Sequence, residues 1–115
     1  MSFRRLLDRT VTIQPRSVSS SGTRGDVFSD DAPIAGVKAA RDLIASEEDT
    51  GDNREQQSKR FRYFLPREVA GLFDGHARIV DGVETLEIEG EPETIVRRRT
   101  GSIHHVEVIA YVSTG

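Results

Sequence analysis

Two stretches of this sequence alternate apolar and polar residues with a period of two, and nothing else in the chain constrains its fold as strongly. In 60–65, RFRYFL, the residues Phe61, Tyr63 and Leu65 alternate with Arg60, Arg62 and Phe64. In 103–112, Val106, Val108, Ala110 and Val112 alternate with His105, Glu107, Ile109 and Tyr111. Successive side chains of a strand point to opposite faces, so each stretch predicts a strand with one buried face. RTVTIQ at 9–14 repeats the pattern with β-branched Val11 and Ile13, and Pro15 ends it. Asp81-Gly82, between HARIV and VETLEIE, predicts a tight hairpin. In its second arm Val83, Leu86 and Ile88 are apolar, Glu84, Glu87 and Glu89 are polar, and Gly90 and Pro92 end the arm. Five or six short strands with Gly and Pro punctuation predict an all-β fold. The expected architecture is a small antiparallel barrel or sandwich, one domain over residues 1–115.

The remaining segments carry weaker patterns. Residues 16–33 hold Ser17, Ser19, Ser20, Ser21, Gly22 and Gly25, with Val18, Val27, Phe28 and Ala32 as the apolar positions, and predict a long surface loop. Residues 34–46 read two ways. Pro33 after Asp30 and Asp31 resembles a helix start, but a helical wheel puts Arg41 among Ile34, Val37 and Ile44. As a strand, Val37, Ala39, Leu43 and Ala45 share a face broken only by Arg41, which leans the segment to strand. Residues 46–60, SEEDTGDNREQQSKR, contain no hydrophobic side chain. They cannot bury enough apolar surface to offset their ordering entropy, which predicts a mobile loop. Residues 67–75 predict a connector or helical turn with Val69, Leu72 and Phe73 inward. Residues 93–102 carry the basic run Arg97, Arg98 and Arg99 before Gly101.

Composition narrows the function. At 115 residues, with no Trp, two Tyr and five Phe, the chain can bury about two-thirds of its unfolded surface. That is a modest core, suited to a module stabilised by neighbours. The absence of Cys removes disulfides, a thiol nucleophile and Cys-ligated zinc. A net charge of −3 disfavours gripping duplex DNA through overall charge. No apolar run reaches the roughly 20 residues that span a bilayer, and Leu6 and Leu7 are too few for a signal peptide.

No chemistry-bearing constellation stands out. The serines of 17–21 lack a Gly-x-Ser-x-Gly elbow, and carboxylates in an exposed charged loop suit acid–base work poorly. Adjacent His104 and His105 should point to opposite strand faces, and His76 matches no ligand spacing with them. No catalytic residue, cofactor or metal is expected, and the protein is not expected to be an enzyme. Two candidate interfaces remain. One is the N-terminal arm, Phe3, Arg4, Arg5, Leu6 and Leu7, whose bland alternative is a turn capping the barrel's own end. The other is Arg97, Arg98 and Arg99, which with Arg60 and Arg62 predict a basic patch or simply a solvated edge.

The order LLDRTVTIQ, a charged gap, RFRYFLP, HARIVDGVETLEIEGEP and a closing GSIHHVEVIAYV resembles the head-to-tail connector proteins of long-tailed bacteriophages, in the stopper (head-closure or head–tail joining) group. The resemblance implies a β-barrel that forms a homo-oligomeric ring of six or twelve copies in the virion neck, assembled in the host bacterial cytoplasm. The ring would lie between the portal or adaptor on the head side and the tail terminator or tail tube on the other. It would close the channel on packaged double-stranded DNA without any membrane association. The family's closing element is a loop between two barrel strands. Its match here is 46–58, with Glu47, Glu48, Asp49, Thr50, Gly51, Asp52, Asn53, Arg54, Glu55, Gln56 and Gln57 as gate residues. The family pattern also turns 34–46 to strand. Acidic loops gathered on a ring axis would repel phosphate and let DNA slide. The basic run would then face an acidic partner or DNA phosphates. The other readings are a tail-terminator or tail-completion ring, and a monomeric barrel that binds an oligonucleotide or peptide.

Overall fold

A computed structural model describes residues 7–22, 25–48 and 57–114. The protein is all-β. Strands run in chain order as β1 (Arg9–Gln14), β2 (Arg16–Gly22), β3 (Gly25–Asp30), β4 (Ile34–Glu48), β5 (Gln57–Pro66), β6 (Arg78–Asp81), β7 (Glu84–Val96) and β8 (Ile103–Thr114), with a 3₁₀ turn at Arg67–Val69. Six of them close an antiparallel barrel in the order β1-β4-β5-β8-β7-β6, and β2 and β3 form a separate two-stranded ribbon. The barrel closes where β6 meets β1, with Thr12 opposite Val80 and Ile13 opposite Ile79.

Period two built this core. Val11, Ile13, Phe61, Tyr63, Leu65, Leu86, Ile88, Val106, Val108 and Ala110 are buried together, as the alternation predicts. Closure lets a chain with few aromatics suffice, because a closed sheet has one interior to fill and no long edge to cover. The radius of gyration is nevertheless 15.7 Å, against about 13 Å for a compact chain of this length. The β2–β3 ribbon stands outside the barrel, and the β4–β5 ladder runs on past the end of β1.

The structure corrects several expectations. Within 16–33, residues 16–22 and 25–30 are paired strands and not loop: Arg16 pairs with Asp30, Val18 with Phe28 and Gly22 with Gly25. The ribbon is tied at its base, where Asp31 N–H donates to Pro15 O at 2.9 Å and Gln14 Nε2 donates to both Pro15 O and Asp31 O. Arg16 fastens it to the barrel. Its guanidinium donates to His76 O at 2.6 Å and to Glu87 at 3.0 Å, and lies 4.8 Å from the Phe28 ring centre. Backbone pairing and one arginine, rather than apolar alternation, define this ribbon.

Gly90 and Pro92 do not end β7. Four steps along β7, from Glu89 to Glu93, oppose two along β8, from Ile109 to Glu107, so the proline sits in a bulge where no ladder N–H is required. The hairpin turn is centred on Gly82 and Val83, because Asp81 pairs with Glu84. Only Gly82 takes a positive φ, +62°, so Val83 is a fully exposed turn residue and not part of the apolar face. Leu72 is likewise 54% exposed. It borders an apolar groove with Leu7, Ile34, Val37 and Val69, while Val69 alone of the predicted trio is fully buried and Phe73 packs against the core edge.

Candidate functional site

β4 is the strand that reaches farthest. Its pairing with β1 ends at Arg9–Ala39, but its ladder with β5 continues from Ala40–Phe64 to Glu48–Gln57. β5 keeps β8 on its other side over the same stretch, out to Gln57–Thr114. β4 thus extends as an arm beyond β1, by roughly 25–30 Å from Ala40 to Glu48 at about 3.3 Å per residue. β7 still flanks β8 as far as Glu87–Tyr111, on the row of Ala45 and Arg60, so β4, β5 and β8 run on as three strands alone only beyond that row.

Of the predicted gate residues, Glu47, Glu48 and Gln57 are at the far end of the β4–β5 ladder. Glu47 pairs with Ser58 and Glu48 with Gln57, so these positions are strand rather than loop. The ladder needs backbone groups, not apolar side chains, and β8 templates β5 as it passes. Asp49, Thr50, Gly51, Asp52, Asn53, Arg54, Glu55 and Gln56 lie outside the described residues.

At the arm's root sits a charged clamp that pattern reading did not find. Asp81, 7% exposed at the end of β6, accepts from Arg9 Nε at 2.9 Å, Arg9 Nη2 at 3.2 Å, Arg41 Nη1 at 3.3 Å and the Tyr63 hydroxyl at 2.9 Å. Arg41 also reaches Glu84 at 3.2 Å and lies 4.0 Å from the Phe61 ring centre. Burial pushes the Asp81 carboxyl up, but the hydrogen bonds from Arg9 and Tyr63 and the charges of Arg9 and Arg41 outweigh it. Its pKa is lowered from the ordinary value. Burial of Tyr63 beside that carboxylate pushes its hydroxyl up to about 12. The clamp joins β1, β4 and β5 to the β6–β7 turn where the arm departs.

Arg41 is therefore the inward residue that appeared to break the strand face. Past it, Leu43 and Ile44 are 59% and 45% exposed, because β4 has left the barrel interior and a bulge intervenes between Leu43 and Ala45. Of the face expected from Val37 to Ala45, Val37 and Ala39 are buried and Leu43 is not. The signal that marks the clamp was available: Arg41 on an otherwise apolar face, with Asp81 at a hairpin end. Pairing them required the topology.

The other candidate residues separate. Phe3, Arg4, Arg5 and Leu6 lie outside the described residues, and Leu7 is buried at 7% against its own barrel. Arg97, Arg98 and Arg99 are exposed on the β7–β8 turn, which is closed by Arg97 N–H to Ser102 O and Gly101 N–H to Arg97 O, both 2.8 Å. They form no patch with Arg60 and Arg62. Arg62 is opposite Ile109, about 20 Å along β8 from the turn, and both arginines face carboxylates, Glu89 at 3.2 Å and Glu107 at 3.7 Å.

His104 and His105 do not diverge as a regular strand would require. One step on β7, Ile95 to Val96, opposes two on β8, His105 to Ile103. His104 is thus the extra residue of a bulge, which re-aims its side chain. The two Nδ1 atoms lie 2.7 Å apart, and His105 Nε2 lies 2.7 Å from Glu107. His76 packs instead on Phe28, ring centres 5.2 Å apart. Among the described residues no group of three His, Asp or Glu side chains is placed to hold a metal ion.

No protein-family model matches the sequence, and no curated protein matches it significantly. The fold does have a solved counterpart. A chain in the structure of the virion of a native gene transfer agent (GTA) particle superposes with a TM-score of 0.64 at 17% identity, over 94% of this chain and 96% of that one. At that identity the likeness establishes the barrel fold, with nearly the whole of both chains included.

Proposed function

We propose that this chain is a structural protein of a phage-type virion, one subunit of a ring in the neck that closes the DNA channel after packaging and joins head to tail. The observation that carries the reading is the β4–β5 ladder, which runs on past the end of β1 to Glu48–Gln57, and the sequence between those two residues holds Asp49, Asp52 and Glu55. The counterpart fold in a GTA virion chain and the motif order of the sequence support it. In a ring the arms point to a shared lumen, and the clamp at Asp81 fixes the angle at which each leaves its barrel. Acidic tips repel phosphate, so DNA is obstructed sterically and not held. Portal or adaptor above and tail below are the expected neighbours.

The test shortens the arm without touching the barrel. Glu48 and Gln57 are directly paired, so Asn-Gly in place of 49–56 suits a two-residue hairpin. Particles assembled with this variant should fill and then lose nuclease-protected DNA, whereas a tail terminator lacking the segment would leave filled heads intact and tails faulty. Full DNA retention with normal tails would overturn the gate reading.

A further inference from the structure

Arg9, Arg16, Arg41, Arg60, Arg62 and Arg78 each face a carboxylate of their own chain. Among the described residues the arginines of the β7–β8 turn do not, nor does the single Arg67. Among the described residues Arg97, Arg98 and Arg99 have no acidic partner, although the chain as a whole is acidic. The turn beneath them is fixed by its two backbone bonds and by the Thr100–Ser102 hydroxyl contact at 2.7 Å. Next to them Val96 is 53% exposed. This is a rigid basic surface with an apolar edge.

The β2–β3 ribbon carries the same pattern with the opposite sign. Val18 and Val27 are 43% and 56% exposed, and the exposed Asp30 has no basic partner among the described residues. The Asp31 carboxylate beside it accepts from the Ser17 hydroxyl and faces no basic side chain among the described residues. A two-stranded ribbon is marginal alone, and this one is anchored only at its base. The geometry points to a contact between copies of this chain, in which the ribbon of one copy (Val18, Val27, Asp30, Asp31) packs on the β7–β8 turn of the next (Val96, Arg97, Arg98, Arg99). Because the two surfaces differ, the contact is heterologous and repeats head to tail, the arrangement that closes rings. This deepens the ring reading above and rests on it. Opposite charges at the contact steer association and make it weaken with salt.

Charge reversal tests it. Full-length R97E/R98E/R99E makes both surfaces acidic, and D30K/D31K makes both basic, so neither variant should self-associate but their mixture restores both contacts. Circular dichroism melts establish that each is folded. Sedimentation velocity should show assembly weakened about tenfold or more in each variant alone, since several attractive pairs become repulsive. An equimolar mixture should recover wild-type assembly. If either variant assembles as the wild type does, or if the mixture is no better than its components, the contact is wrong while a wild-type ring leaves the ring reading standing. A turn variant that assembles normally but loses retention on duplex DNA would assign the arginines to phosphate and also overturn the contact. A wild-type chain that stays monomeric at every concentration would sink both.

Discussion

Replacing Asp81 by Asn is the most informative single change in this barrel. The carboxylate gathers two bonds from Arg9, one from Arg41 and one from Tyr63 at 2.9–3.3 Å. Asparagine keeps the volume, but its carbonyl satisfies at most part of this set and its amide points donors at two guanidinium groups. Breaking a buried charge pair costs about 3–5 kcal/mol. Arg9 is 36% exposed and Arg41 19% exposed, so both recover some hydration, and the expected loss is about 2–3 kcal/mol. For a chain of this size that is a fall of roughly 8–15 °C in Tm. Urea melts followed by circular dichroism read the loss, and amide exchange should rise first around Arg41 and Tyr63. The pH dependence supplies the sign. The folded pKa of Asp81 is lowered, so its stabilisation is complete above the unfolded value of about 3.9 and declines as pH falls through that value towards the folded one. The difference between wild type and variant should hold from pH 8 to pH 5 and shrink as pH falls to 3. A variant within 0.5 kcal/mol of wild type at pH 7, or a difference equally large at pH 3, would refute the clamp as described.

Further changes probe other links in the argument. A Cβ on Gly75 would collide with the Gly90 carbonyl oxygen, so Gly75→Ala should destabilise by about 1–3 kcal/mol in chemical denaturation, by overpacking against backbone. Leu86→Ala, at a fully buried position, should cost about 2–5 kcal/mol by the same measurement. Val83→Asn, at the fully exposed turn position, should change stability by no more than about 0.5 kcal/mol; a large loss would return Val83 to the core. Arg16→Ala should leave the barrel's melting nearly unchanged while proteolysis in 17–30 accelerates, because that arginine fastens the ribbon and not the barrel.

Regular alternation was legible wherever a strand buries one face for its whole length. Val11, Ile13, Phe61, Tyr63, Leu65, Val106 and Val108 are core residues in the sequence and in the structure alike. The pattern misled where the reason for a strand lies elsewhere. Ser-rich β2 and β3 are held by backbone pairing and by Arg16, and neither leaves an apolar period. Polar 46–48 and 57–59 continue a ladder because β8 runs alongside, a neighbour more than forty residues away in the chain. The adjacent histidines touch because a bulge, invisible in composition, inserts His104.

The sequence by itself determined that this protein is an all-β domain with a small apolar interior, since period two admits one buried face per strand and no helix. It also concentrated charge between the strands that became β4 and β5. Only the tertiary structure decided that the sheet closes, that β4 outruns β1 to build an arm, and that Arg9, Arg41, Tyr63 and Asp81 meet at its root. Those outcomes depend on register and on which distant strands are neighbours. A buried carboxylate is stabilised only by partners that arrive together in space, and local pattern contains no record of that meeting.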